Sequence, residues 1–135
     1  FEKFIHGEIT AGRTLQAEKL ENYWLDSNKR YYGEALTVDK ELASEWSRIP
    51  HFYTPFYVYK YATGYSAATA FAASILNGEE GAVEKYLGFL HAGGSDYSLN
   101  ILKNAGVDLN TPQPVTVTLQ KFAEKVAELK KLLGK

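Results

Sequence analysis

The sequence predicts an all-α fold, a single helical domain built round a long central apolar helix. Apolar side chains recur at spacings of three and four residues along most of the chain, which is the period of one helix face. Glycines follow these runs as helix stops, and the one alternating segment that could form a strand has no second strand to pair with. With 135 residues, 45% of them hydrophobic, the chain has room for one core.

Two helices are predicted in the first third of the chain. With Thr14 as N-cap, apolar residues follow the helical period as far as Gly33, where the run stops. A shorter helix begins after Thr37 or Asp39 and ends at Pro50, because the residue before a proline disfavours helical geometry.

The central helix is predicted from Pro55 to Leu76. Residues 51–54 form a tight connector before it, and Thr54 can cap the helix whose first residue, Pro55, needs no backbone N–H. The segment is aromatic in its first half and rich in Ala, Ser and Thr in its second, with no charged face. A helix that is apolar all round is normally buried, so we expect this helix at the centre of the fold.

Three more helices complete the predicted fold. They run from Glu79 to His91, from Asp96 or Ser98 to Ala105, and from a cap at Thr116 or Thr118 towards the end of the chain. In the last one, Lys and Glu lie opposite a row of apolar residues at spacings of three and four, so this helix is expected to pack on a partner. That row comprises Leu119, Phe122, Val126, Leu129 and Leu133.

Composition disfavours several classes of function. Fifteen basic and sixteen acidic residues give a formal charge of -1, which argues against nucleic-acid binding and against a basic membrane-binding surface. The best candidate for a membrane span, the uncharged segment at residues 61–76, is too short to cross a bilayer. The absence of cysteine fits a cytoplasmic protein. The chain contains no methionine and begins with Phe1, so we expect a fragment or a processed product.

No metal site is predicted within this chain. Zinc peptidases place two histidines one helical turn apart, but His6, His51 and His91 are far apart in the sequence, and no cysteine can supply a ligand. Gly93 and Gly94 follow a helix end rather than opening one, so they predict a turn and not a phosphate loop.

Tyrosines are concentrated beside His51. Five of the ten lie within thirteen residues: Tyr53, Tyr57, Tyr59, Tyr61 and Tyr65. On a helix, residues 57, 61 and 65 would share one face, which we interpret as packing. His51 and Tyr53 precede the predicted helix N-terminus, where two neutral donors could form half of an oxyanion site, although a histidine packed in the core is the alternative.

The segment at residues 49–64 reads IPHFYTPFYVYKYATG. It resembles the C-terminal hallmark of oligoendopeptidase F, a branch of the thimet-oligopeptidase family of zinc metallopeptidases. The resemblance extends over nearly the whole chain, through KRYYG at 29–33, EWSR at 45–48, GGS at 93–95 and AGVD at 105–108. Ser98 departs from the pattern, which has proline there.

This resemblance implies that residues 1–135 are the C-terminal helical portion of the catalytic domain of a cytosolic zinc peptidase that hydrolyses short peptides. The family's H-E-x-x-H helix and its glutamate ligand lie upstream. The chain is therefore expected to bind no zinc and to be inactive alone, with the missing N-terminal part of the same protein and short peptides as its partners.

The resemblance also assigns roles to four side chains. Tyr59 and His51 match the groups that stabilise the oxyanion, with Tyr57 as the alternative to Tyr59 in that role. Tyr53 and Tyr57 match positions that approach the substrate backbone. The alternative is an autonomous helical module that binds peptides in an aromatic groove without catalysis. An upstream H-E-x-x-H segment in the same polypeptide would favour the peptidase.

Overall fold

The computed structural model describes residues 1–134, which form helices and connecting loops without a strand, so the all-α prediction is confirmed. The α-helices are α1 (Glu2–Thr10), α2 (Ala17–Tyr32), α3 (Tyr59–Leu76), α4 (Ala82–Ala92), α5 (Ser98–Asn104) and α6 (Gln113–Leu132). Two 3-10 helices, Lys40–Arg48 and Pro50–Tyr53, lie between α2 and α3. The chain divides after Val58 into two compact units, whereas the sequence predicted one core.

The first unit is held together by aromatic side chains. Trp24 of α2 meets Phe1 edge-on at 5.1 Å and Phe52 at 5.8 Å between ring centroids, and Phe4 stacks on Tyr23 at 3.9 Å. The helix predicted to end at residue 50 is present as the 3-10 helix at residues 40–48, which packs along α2. The predicted connector after it is the second 3-10 helix.

An ion-pair cluster joins α1, which the sequence did not predict, to the start of α2. Glu8 is buried at the end of α1, and its carboxylate accepts two hydrogen bonds from Arg13, at 2.9 and 2.7 Å, and one from Lys19. These hydrogen bonds, Arg13 first and then Lys19, lower the pKa of Glu8 from its ordinary value of 4.5 to about 2.

We expect Glu8→Gln to lower the melting temperature at neutral pH and to lose this effect in acid. Because the folded pKa of Glu8 lies below the unfolded value, its carboxylate stabilises the fold fully above pH 4.5, and the stabilisation disappears as the pH falls towards 2. Melting curves of both proteins from pH 7 to pH 2 should converge at the acid end. Glu80→Gln, at an exposed position, is the control and should change the melting temperature little. A constant gap between Glu8→Gln and the native chain at every pH would contradict this assignment.

In the second unit, α3 packs against α4 and α6, and α4 packs against α5. Its core comprises Ala67, Ala70, Phe71, Ala105 and Val107. The Phe71 ring lies 5.2 Å from the ring of Phe89 and 5.4 Å from that of Tyr86, in an edge-on arrangement with the latter. The alanines of α3 are small enough to let the neighbouring backbones approach closely.

The predicted central helix differs from α3 in two ways. It begins at Tyr59 rather than Pro55, because Phe56 has φ 54°, a left-handed conformation that interrupts a right-handed helix. The expected burial of this helix on all sides is not confirmed, since Tyr61 and Tyr65 are 59% and 69% exposed. The interpretation of residues 57, 61 and 65 as one packed face is therefore wrong, and Tyr57 precedes the helix altogether. Among the described residues, no helix is long and apolar enough to cross a bilayer.

Helix ends were predicted better than helix starts. Gly33, at φ 72°, follows α2 as predicted, and Gly93 follows α4. Thr14 lies before the start of α2 and does not cap it. Thr116 and Thr118 lie inside α6, where their hydroxyls donate to the carbonyls four residues earlier, at 3.0 and 2.9 Å. A threonine hydroxyl can bond to a carbonyl of the preceding turn inside a helix as well as cap a helix start, so the residue type alone does not locate the N-cap.

Candidate functional site

The candidate site contains the loop that follows the 3-10 helix at residues 40–48. Pro50 opens a further 3-10 turn that carries His51, and the chain then bends back so that Tyr57 stacks on the His51 ring, with centroids 5.5 Å apart and planes 22° from parallel. Both side chains lie at the surface. The structure therefore brings together two of the four residues that the sequence selected.

Tyr53 supports the loop through a hydrogen bond to the backbone. Its hydroxyl donates to the backbone carbonyl of Ser47 at 2.9 Å, while 78% of the residue remains exposed. Because the phenol proton is used in that bond, the oxygen can still accept a hydrogen bond but has no second proton to donate. Tyr53 is thus suited to accept from a peptide N–H.

Helix α1 contacts the end of the loop, at Phe56. The backbone N–H of Phe56 donates to Glu2 at 2.8 Å, and the Phe56 ring stacks on His6 with centroids 4.4 Å apart. These two contacts hold Phe56 in its left-handed conformation immediately before Tyr57. Sequence reasoning missed Glu2 and His6 because neither carries a local signal of a contact about fifty residues away.

Tyr59 is the first residue of α3 and of the second unit. It is 55% exposed and lies at a helix N-terminus, where backbone N–H groups lack partners within the helix and favour negative charge. Its side chain borders a mainly apolar groove of about 910 Å³ within the second unit, whose wall includes Thr63, Ala67, Phe71, Phe89 and Leu102. The sequence placed His51 and Tyr53 just before the helix start. This was wrong, and Tyr59 occupies the first turn instead.

The side chains of the candidate site can donate and accept hydrogen bonds. Residues 1–134 contain no group of three His, Cys, Asp or Glu side chains that could hold a metal ion. His6 contacts Phe56, and His51 contacts Tyr57. Phenol and imidazole N–H or O–H groups are donors to a carbonyl oxygen or to an oxyanion.

Comparison with known proteins identifies the family. Residues 1–121 match the model described as Peptidase family M3. The chain belongs to peptidase family M3. Oligopeptidase PepF of Bacillus subtilis is 47% identical to this M3 chain over 135 residues, and Group B oligopeptidase PepB of Streptococcus agalactiae is 40% identical over the same length.

Solved structures agree with this assignment to family M3. The crystal structure of oligoendopeptidase-F from Enterococcus faecium superposes on 98% of this chain with a TM-score of 0.94 and 43% identity. The superposed part is 26% of the Enterococcus chain. A putative peptidase from Chlamydophila abortus matches 97% of the chain with a TM-score of 0.90. The resemblance found in the sequence is confirmed.

The M3 chain spans only part of its relatives. All 135 residues align with the Bacillus and Streptococcus proteins, but they cover 20% and 22% of those proteins' lengths. These 135 residues therefore correspond to about a fifth of the length of those relatives.

Proposed function

We propose that residues 1–135 form the C-terminal helical portion of the catalytic domain of a zinc-dependent oligoendopeptidase that hydrolyses short peptides in the cytoplasm. The match of residues 1–121 to the M3 model carries this proposal. The names of the relatives, oligopeptidase and oligoendopeptidase F, support peptides as the substrate class.

In this proposal the chain supplies groups on the substrate side of the reaction. Tyr59 donates its phenol proton to the oxyanion that forms when the scissile carbonyl is attacked, and His51 assists as a second donor. Tyr53 and Tyr57 bind the backbone of the peptide. The stacking of His51 on Tyr57 supports these roles, because it restricts the imidazole before substrate arrives.

Zinc does not fit the described part of this chain, which lacks a ligand cluster. In the proposed full-length enzyme, residues beyond this chain hold the ion, which supplies an activated water when bound. The contribution of this chain is then to bind the peptide, orient its carbonyl and donate hydrogen bonds.

The proposed function is tested by comparing the full-length protein with the 135-residue chain. We expect the full-length protein to cleave a fluorogenic oligopeptide, to lose this activity to a chelator and to regain it with zinc. The isolated chain should neither turn over peptide nor retain stoichiometric zinc after dialysis, since it lacks the ligands and the general base.

Two outcomes would overturn the proposal. One tightly bound zinc per isolated chain with chelator-sensitive turnover would place the active site within these 135 residues. A full-length protein that binds the peptide without cleaving it would instead support the alternative, a helical peptide-binding module.

A further inference from the structure

Phe56 has a backbone conformation that its own side chain disfavours. Among the described residues it is the one residue other than glycine with a positive φ, at 54°. A Cβ atom in this region comes too close to the following carbonyl oxygen, so such a residue keeps the conformation only where surrounding contacts hold it. Phe56 is 44% exposed, so burial in a core does not hold it there.

Glu2 holds the backbone of Phe56. Its carboxylate accepts the Phe56 N–H at 2.8 Å, although the two residues are 54 positions apart in the sequence. A hydrogen bond to an ionised acceptor is about twice as strong as one between neutral groups. The His6 ring, one turn further along α1, stacks on the Phe56 ring with centroids 4.4 Å apart. Helix α1 therefore holds this residue both by its backbone and by its side chain.

The conformation of Phe56 determines where the next residue lies. Its left-handed backbone turns the chain before α3, and Tyr57 then lies against the His51 ring, with centroids 5.5 Å apart. In the extended or right-handed helical conformations that a phenylalanine prefers, the chain would leave Phe56 in another direction. The Tyr57 ring would then move away from the imidazole. The pair of side chains at the candidate site thus depends on the hydrogen bond from Phe56 to Glu2.

We propose that Glu2 is a positioning residue for the candidate site, which by accepting the Phe56 N–H keeps the loop in the conformation that places Tyr57 against His51. This inference rests on the proposed function, in which His51 assists at the oxyanion and Tyr57 binds the peptide. Glu2 itself contacts neither the substrate nor the reacting atoms. It removes in advance the freedom that the loop would otherwise lose when a peptide binds.

A purely structural role of Glu2 is the alternative. Glu2 lies in the first turn of α1, where an acidic side chain also stabilises a helix through the helix dipole. Two substitutions separate the roles. Glu2→Gln keeps an acceptor oxygen at the same reach and removes the charge, whereas Glu2→Asp keeps the charge and withdraws the oxygen by one methylene group. Positioning predicts that Gln is tolerated and Asp is not, and stabilisation through the dipole predicts the reverse.

The first measurement is amide hydrogen exchange of Phe56 in the full-length protein, by mass spectrometry with residue-level fragmentation. Because Pro55 carries no amide hydrogen, the Phe56 signal is separated from that of Thr54. Glu2→Ala and Glu2→Asp should raise the exchange rate by about tenfold, as expected for the loss of one hydrogen bond to a charged group, and Glu2→Gln by less than about threefold. Glu18→Ala, which removes the acidic residue from the first turn of α2, is the control and should leave the rate unchanged.

Steady-state cleavage of a fluorogenic oligopeptide by the same full-length proteins tests the effect on the site. Glu2→Ala should lower kcat/KM by about tenfold without changing the melting temperature, and Glu2→Gln should retain most of the activity. In a His51→Ala background, the further change Glu2→Ala should cost less than about threefold, because one of the two side chains that Glu2 positions is already absent. Equal fold losses in both backgrounds, or native activity in Glu2→Asp, would overturn the positioning role.

Failure of this inference can be distinguished from failure of the proposed function. A native full-length protein that cleaves no peptide would contradict the proposed function, and the exchange of Phe56 would still decide whether Glu2 holds the loop. A native protein that cleaves the peptide, with neither the exchange nor kcat/KM altered by Glu2→Ala, would contradict the role of Glu2 alone.

Discussion

Replacing Tyr59 by phenylalanine in the full-length peptidase is expected to lower kcat by roughly a hundred- to a thousand-fold, or about 2.7–4 kcal/mol. The phenol donates only to charge that appears in the transition state, so its loss should leave KM nearly unchanged. The ring itself remains, which preserves its contact with the apolar groove of the second unit. Steady-state kinetics with zinc content equal to that of the native enzyme measures the effect.

Tyr65→Phe is the matched control for this experiment. Both residues lie on α3 and are largely exposed, 55% for Tyr59 and 69% for Tyr65, so the two changes remove the same hydroxyl from exposed positions of one helix. Only the first should affect kcat. His51→Ala should resemble Tyr59→Phe if the imidazole shares the oxyanion, whereas a change in KM alone would limit His51 to holding the peptide. An unimpaired kcat in Tyr59→Phe would remove the catalytic role assigned to this residue.

Phe71→Ala is expected to destabilise the second unit by about 3–5 kcal/mol. Its ring is 7% exposed and fills the space beside Tyr86 and Phe89, while the other buried core residues are three alanines and one valine. Those small neighbours cannot expand into the cavity, and a domain is stable by only about 5–15 kcal/mol in total. Urea denaturation followed by circular dichroism at 222 nm should show the shift.

Phe122→Ala in the same 135-residue chain makes the identical chemical change at a position that is 68% exposed. It should alter the free energy of unfolding by no more than about 0.5 kcal/mol. Comparable losses in the two variants would mean that Phe71 is not the centre of this core.

The predictable parts of the fold are those with local signals. Gly33 marks the end of α2 because a glycine at φ 72° carries no Cβ penalty, and that preference is visible in one residue. The start of α3 depends instead on Phe56, a residue with no intrinsic preference for φ 54°. Its conformation is set by Glu2 and His6, which are distant in the sequence. Sequence periodicity contains no information about such contacts, so the helix was predicted four residues too long.

The same distinction applies to the candidate site. The cluster of tyrosines beside His51 was evident from composition, and the resemblance assigned its members to roles. The stacking of His51 on Tyr57 and the bond from Tyr53 to Ser47 depend on how the loop closes, which periodicity cannot specify. Helical spacing placed Tyr57 on one face with two residues of α3, and the left-handed residue before it removed it from that face.

The aromatic cluster of the first unit also determines what the tryptophan fluorescence of the chain reports. Its two tryptophans, Trp24 and Trp46, both lie before Val58, and both rings pack against Phe1. Indole emission shifts to longer wavelength when water reaches the ring, so fluorescence excited at 295 nm monitors the first unit alone. Because Trp24 also contacts Phe52, within the turn that carries His51, the same signal follows the folding of the loop that presents the imidazole.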